Sequence, residues 1–335
     1  MKRQSLFFTA PFEIEIRETT IQPPDPGELL VETLISAISA GTELLIYRGL
    51  APNGMSTDEN ISALTGSLAY PLQYGYAAVG TVVKVGENLG QDWVGKPVFS
   101  FQPHQTHFIA SPEQVIPLPD GISPKAAVFL PNMETALNLV MDGHPVIGER
   151  VAVFGQGVVG LLTTALLAYF PLKDLLTLDL FPNRRAASLA AGASQSFNPA
   201  DAISLTQVRG KRGIDLSYEL SGSPSVLDQA IAVTGFAGRV VIGSWYGQKR
   251  ANLDLGGQFH RSRIQLISSQ VSSINPALTG RWDKSRRFEL VWEMIRQVQP
   301  DRWITHQLPF QMGIQGYQLL DQQPHEAIQV LLDYS

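Results

Sequence analysis

The run Gly155-Gln156-Gly157-Val158-Val159-Gly160 is where residue type and spacing speak most directly of chemistry. It follows an apolar strand-like run, Val151 to Phe154, and opens an apolar helix-like run from Val158. In that context Gly155 allows a tight turn, Gly157 lets the backbone approach a pyrophosphate, and Gly160 permits close helix–strand packing. The N–H groups of Val158, Val159 and Gly160 would then face the phosphates at a helix N-terminus. Asp179, 19 residues after Gly160, ends the next apolar run and fits the acid that accepts from ribose hydroxyls. Its charge disfavours a 2′-phosphate, so NAD(H) is favoured. Arg184 and Arg185 just beyond keep NADP(H) open; solvated helix charges are the plainer explanation of that pair. Ser221, Gly243, Ser244 and Ser269 follow later strand-like runs, where cofactors lie beyond the carboxyl ends of parallel strands.

Those strands and helices come from the pattern of the chain. Val158 to Tyr169, Arg184 to Ala191 and Val226 to Thr234 read as helices. Leu175 to Asp179, Ile214 to Leu220, Arg239 to Trp245 and Ile264 to Val271 read as strands apolar on both faces. Such alternation predicts a doubly wound parallel sheet covered on both sides. Before residue 131 the pattern is different. Phe12 to Arg17 alternates with period two, Leu29 to Ser36, Ala77 to Val85, Val98 to Phe101 and His107 to Ile109 read as short strands, and turns separate them. A barrel-like β domain is expected there. From Arg281 a helix carrying Phe288, Val291, Trp292 and Ile295 on one face and a strand at Ala327 to Leu332 close the chain. The domains expected are 131–272 for the dinucleotide and 1–130 plus 273–335 for catalysis. The polar stretch Gly49 to Tyr70 reads as a long loop, functional or an ordinary insertion.

Composition bounds the function. The 335 residues carry a formal charge of −5, which gives no support for a nucleic-acid footprint. No window approaches the ~20 apolar residues of a membrane span, and a cytoplasmic location is expected. There is no cysteine, which removes disulfides, thiolate metal sites and cysteine nucleophiles together.

Four further segments carry a resemblance. Ala40-Gly41-Thr42-Glu43 looks like Cys-Gly-Thr-Asp, Pro71 to Gly80 looks like P-x-x-x-G-H-E-x-x-G, Gly95-Lys96-Pro97-Val98 looks like G-D-x-V, and Thr135 looks like a threonine packed on a nicotinamide. Together with the glycine motif they resemble the medium-chain dehydrogenase/reductase superfamily. The resemblance implies an α/β enzyme with a Rossmann sheet, a GroES-like β-rich barrel domain and a nicotinamide cofactor. It also implies a catalytic zinc in the alcohol dehydrogenases, and here this sequence departs. Ala40, Tyr76, Ala77 and Pro131 stand where the family's ligands and acid stand, and the four-cysteine lobe is missing. No zinc is therefore expected. His104 and His107 could touch one metal, although a polar loop or strand end explains them as well. A narrower similarity, Ile38 to Glu43 with Gly75-Tyr76, points to the bacteriochlorophyllide dehydrogenase branch.

Without a Lewis acid, a hydrogen-bond donor must meet the charge that hydride transfer builds on oxygen, or the substrate must spread it. Thr42 looks like the family's proton-relay hydroxyl, and Tyr76 puts a phenol at a vacated ligand position; cavity filling is the alternative for Tyr76. Glu43 matches an acid that makes structural ion pairs. The expectation is a zinc-independent NAD(P)-dependent oxidoreductase acting on a small-molecule carbonyl, activated alcohol or conjugated substrate. An NADPH-dependent quinone or enoyl reductase and a non-catalytic dinucleotide-sensing protein are the alternatives. The resemblance leaves a homodimer open.

Overall fold

The structure, a computed structural model, describes all residues except 53, 58–60, 62 and 65. The loop expected at Gly49 to Tyr70 falls partly on those positions and to that extent lies outside the described residues. The chain divides into two compact units, Met1–Pro131 with Gln299–Ser335, and Asn132–Val298.

The first unit opens with a hairpin, β1 (Lys2–Ala10) against β2 (Glu13–Thr20). The alternation of Ile14 and Ile16 sends both into the core beside Leu6 and Phe8. Next come β3 (Leu29–Ala37), helix α1 (Ala40–Tyr47), β4 (Ala78–Val85), β5 (Pro97–Ser100), β6 (His107–Ala110), β7 (Val115–Pro117) and the short α2 (Pro124–Ala127). α1 has no counterpart in the sequence-based expectation. Residues 43 to 47 of α1 are all buried, so it is covered tertiary packing that makes this stretch helical.

A long helix, α3 (Leu130–Gly143), leads into the second unit. There β8 (Arg150–Phe154), α4 (Val158–Leu167), β9 (Asp174–Leu178), α5 (Pro182–Ala190), β10 (Gln195–Phe197), α6 (Ser204–Arg209), β11 (Ile214–Glu219), α7 (Pro224–Val233), β12 (Thr234–Ile242) and β13 (Gln265–Ser268) follow. The six strands are all parallel, in the order β10-β9-β8-β11-β12-β13. The order reverses between β8 and β11, the point at which such sheets bind ligands. Apolar residues of β8, β9, β11 and β12 pack with α7 in one core, including Ala152, Phe154, Leu176, Ile214, Leu227 and Val240.

Helix α8 (Lys284–Val298) belongs to this second unit. The chain therefore returns to the first unit at Gln299, not at 273. Arg287 gives the physical reason. Its guanidinium, 1% exposed, bonds Glu134 at 2.6 Å, Asn138 at 2.8 Å and the Val271 carbonyl at 2.7 Å. A buried charge so partnered is expensive to detach, and it fixes α8 to α3. The stripe Val291, Trp292 and Ile295 is buried.

The tail then supplies β14 (Ile304–Pro309), α9 (Gly313–Gln322) and β15 (Gln329–Asp333). β15 pairs antiparallel with β3 and parallel with β14. The first unit's main sheet runs β14-β15-β3-β4-β5-β7, with β6 also on β3.

Candidate functional site

In the second unit, the turn after β8 is built for a backbone-bound ligand. Gly155 has φ +88, and a Cβ there would lie 2.6 Å from the Ser221 Cα. At Gly160 a Cβ would lie 2.0 Å from the Gly155 carbonyl oxygen, so α4 packs directly on the turn. A Cβ on Gly157 would meet nothing within 4 Å, and no side chain caps the helix that starts after it. The turn thus presents uncapped N–H groups, with half-buried Val158 and Val159 in the first helical turn. This is a cradle that fits a pyrophosphate. Gln156 points inward: its amide donates to the Val153 and Gly155 carbonyls and accepts from Thr164 at 3.0 Å.

Asp179 lies just past β9, 7% exposed. Its carboxylate accepts from the Gln156 N–H at 2.7 Å and the Phe181 N–H at 2.9 Å. It therefore clamps the glycine turn to the next connection. Arg184 sits over the Phe181 ring at 4.9 Å. Burial pulls its pKa down, and the nearby Asp179 charge opposes that. Arg185 instead donates to the Asp179 and Leu180 carbonyls.

The ends of β11 and β12 meet around Glu219, a fully buried carboxylate that the sequence reading passed over. Ser221 donates to it through both N–H and hydroxyl, and so does the Tyr246 phenol. Burial first, and then the Glu219 charge, push the Tyr246 pKa up, so this phenol stays a donor. Ser244 accepts from the Gly222 N–H at 2.9 Å. Gly243 has no room for a Cβ, which would come within 2.5 Å of Leu139 on α3. Ser221, Gly243 and Ser244 are thus brought together. Ser269 is turned aside: its hydroxyl donates to Asp142 at 2.6 Å and accepts from Asn138 at 3.1 Å, both on α3. Thr135 is half-buried between buried Glu134 and Ala136.

In the first unit, Thr42 and Tyr76 come together with a third hydroxyl, that of Ser39. The Tyr76 phenol contacts the Ser39 hydroxyl and lies 3.4 Å from the Thr42 hydroxyl. All three residues are half-buried, and the Tyr74 ring stands edge-on to Tyr76 at 6.2 Å. Beneath them lies a fully buried acid, Glu43. It accepts from the Ser39 N–H at 2.8 Å and from the Tyr317 phenol, and it lies 3.0 Å from His104 Nε2. His104 Nδ1 is 2.7 Å from the Ser36 hydroxyl, which is 2.8 Å from the Tyr334 phenol. Burial and the Glu43 charge hold the Tyr317 pKa well up, keeping its proton on. Both nitrogens of His104 are thus engaged. His107 instead lies 3.1 Å from the Thr106 hydroxyl, so the two histidines do not form one metal site. Burial lowers the His107 pKa below 6.5.

A zinc ion does not fit this donor set. Ala40 and Ala77 offer methyl groups and Pro131 a ring without a donor, while Tyr76 is engaged by Ser39 and Thr42. Zinc takes three or four N, S or O ligands. Among the described residues, no group of three or more His, Asp or Glu is placed to hold a metal ion.

Sequence reasoning missed Ser39, His104's buried role, Tyr317, Glu219 and Tyr246. For Ser39 there was a signal: a serine four residues before a glutamate, one residue longer than a capping box.

No family model matches the chain. It is 23% identical over 322 residues to the D-guloside 3-dehydrogenase of Escherichia coli K12, covering 91% of this chain and 92% of that protein. With the (R,R)-butanediol dehydrogenase of Bacillus subtilis 168 it shares 27% identity over 291 residues, 78% of this chain and 81% of the relative. An alcohol dehydrogenase from Escherichia coli CFT073, solved in complex with NADH, superposes with a TM-score of 0.80 over 99% of both chains at 18% identity. The fold is therefore α/β, a Rossmann sheet together with a GroES-like unit, the fold of these solved dehydrogenases.

Proposed function

We propose that this enzyme, of the nicotinamide-dependent dehydrogenase type, works without zinc and uses the Tyr76 phenol where its relatives' resemblance implies a metal. The observation that carries this is the cluster of three half-buried hydroxyls, Ser39, Thr42 and Tyr76, beside positions stripped of metal ligands. The nicotinamide supplies a hydride donor or acceptor when bound. The chain's part is to bind the dinucleotide at the Gly155–Gly160 turn, with Asp179 favouring NAD(H) and Arg184 the residue closest to an accommodation of NADP(H). Thr135, Ser221, Gly243, Ser244 and the backbone around Ser269 line the nicotinamide half in this reading.

In reduction, the substrate's carbonyl carbon takes up hydride and its oxygen takes the Tyr76 proton. An unperturbed phenol has a pKa of about 10, far below that of a simple alkoxide, so the transfer is downhill. In oxidation the proton returns along the same path. Substrates are small carbonyls, secondary or activated alcohols, and conjugated carbonyls or quinones. The last class spreads charge by itself, which keeps a quinone or enoyl reductase as the second reading. The reading places the enzyme in the cytoplasm. Among the described residues β13 is an edge strand of its sheet, which suits a homodimer, because strand edges invite pairing.

The test is turnover of NADH and NADPH against a panel of polyols, ketones, enones and quinones. Tyr76→Phe should lower kcat by about 10²–10⁴-fold, the usual weight of a general acid, with the dinucleotide Kd unchanged. Dinucleotide binding without turnover on any class would make the chain a sensor instead. Unchanged kcat in Tyr76→Phe would remove the phenol from the chemistry.

A further inference from the structure

Ser39 stands at the N-cap of α1, with φ −85 and ψ 92, yet its side chain makes no capping bond. A serine there ordinarily turns its oxygen onto the N–H of the second or third helical residue. This one is turned away, to the Tyr76 phenol. The cap is met from the other direction. Glu43 reaches back to the Ser39 N–H at 2.8 Å, and is itself fixed by Tyr317 and His104. The helix start is thus secured by a buried carboxylate, and the serine hydroxyl is released for another task. Local rules are broken in this way where function demands it.

The Tyr76 hydroxyl points its proton to Thr42 Oγ1 over 3.4 Å, long for an O–H···O bond whose usual length is about 2.7–2.8 Å. In the Ser39–Tyr76 contact either hydroxyl can donate, but once the phenol has given up its proton only Ser39 can. A substrate oxygen that takes the phenol proton would leave a phenolate oxygen already in contact with the Ser39 hydroxyl.

We propose that Ser39 is a positioning residue for Tyr76: it aims the phenol and stabilises the phenolate left when the proton is given up. The inference rests on the reading of Tyr76 as the proton donor. With a reduced nicotinamide bound at the Gly155–Gly160 turn to supply hydride, the C=O π pair of the substrate would move to oxygen as its carbon gained that hydride. The new O–H bond forms as the Tyr76 O–H bond breaks. The phenolate oxygen accepts from Ser39 Oγ–H, and water restores the proton.

The test compares Ser39→Ala, Ser39→Gly, Ser39→Thr, Tyr76→Phe and the Ser39→Ala/Tyr76→Phe double variant, using the panel substrate with the highest turnover. Ser39→Ala should lower kcat by about 10–100-fold, the weight of a hydrogen bond to a charged group, with KM for the dinucleotide unchanged. Its melting temperature should stay within a degree or two of the parent's, because no cap bond is lost. Ser39→Thr restores most of kcat. On the Tyr76→Phe background, Ser39→Ala should cost nothing further, since residues that act through one another are not additive. Ser39→Gly retains a good N-cap and should lose kcat as Ser39→Ala does. Normal kcat in the glycine variant, or multiplicative losses in the double variant, would overturn the proposal. Unaltered kcat in Tyr76→Phe strikes instead at the proton-donor reading. A readout free of turnover is the NMR shift of ring-labelled Tyr76 Cζ. It should move in Ser39→Ala and return in Ser39→Thr; a shift indifferent to Ser39 also overturns the proposal.

Discussion

Asp179 shows how one residue can carry two roles that sequence spacing alone merges. The spacing from Gly160 marks it as a ribose acceptor. The structure adds that its two oxygens hold the Gln156 and Phe181 N–H groups, so it also shapes the glycine turn. Each carboxylate oxygen retains a further acceptor site, so both roles are compatible. Asp179→Ser should weaken NADH by about 10–100-fold, the cost of losing a charged hydrogen bond. NADPH should weaken less, because the repulsion of its 2′-phosphate goes at the same time. Fluorescence titration with both dinucleotides measures the two constants. An unchanged ratio with both weakened would leave Asp179 as a clamp on the turn and nothing more.

At the scale of elements, what was legible in the sequence was whatever depended on near neighbours. β8, α4 and β9 were readable because strands buried on both faces alternate with apolar helices, and the glycine turn sits between them. α1 was not readable. Ala40 to Tyr47 has no helical stripe, and its start depends on Glu43, whose partners His104 and Tyr317 are 61 and 274 residues away. The return point of the tail was misplaced for the same reason, since Arg287 finds Glu134 across 153 residues. Gly75 joins these distant pieces. Its φ is +124, and a Cβ would come within 2.8 Å of His104 Cδ2 and 2.9 Å of Nε2. His104 is fully buried and bonded at both nitrogens, so it has nowhere to yield. Gly75→Ala should therefore cost about 2–4 kcal/mol, combining backbone strain and overpacking, as read from urea unfolding. Gly27→Ala is the control: it shares the positive φ, at +85, but a Cβ there meets nothing within 4 Å. Equal losses in the two variants would mean that the His104 contact contributes no penalty.

For the whole molecule, the absence of cysteine has a structural counterpart. The first unit holds a buried hydrogen-bonded chain running Tyr334, Ser36, His104, Glu43 and Tyr317. These come from β3, α1, the segment before β6, α9 and the end of the chain. A fully satisfied buried network rigidifies its surroundings, and this one holds the tail to the first strands. Its burial also keeps the Tyr317 and Tyr334 protons in place, since desolvation pushes both phenols up. Extended treatment with a strong chelator should then leave melting temperature and kcat unchanged, and metal analysis of the purified enzyme should give zinc well below one per chain. Added zinc should raise neither quantity. Metalloenzymes of this size behave differently, because a bound metal stabilises the folded state by mass action and its removal lowers the melting temperature. If chelation lowered kcat and zinc restored it, a metal would have to bind through residues other than Ala40, Tyr76, Ala77 and Pro131, and Tyr76 would lose its place as the group that meets the developing charge.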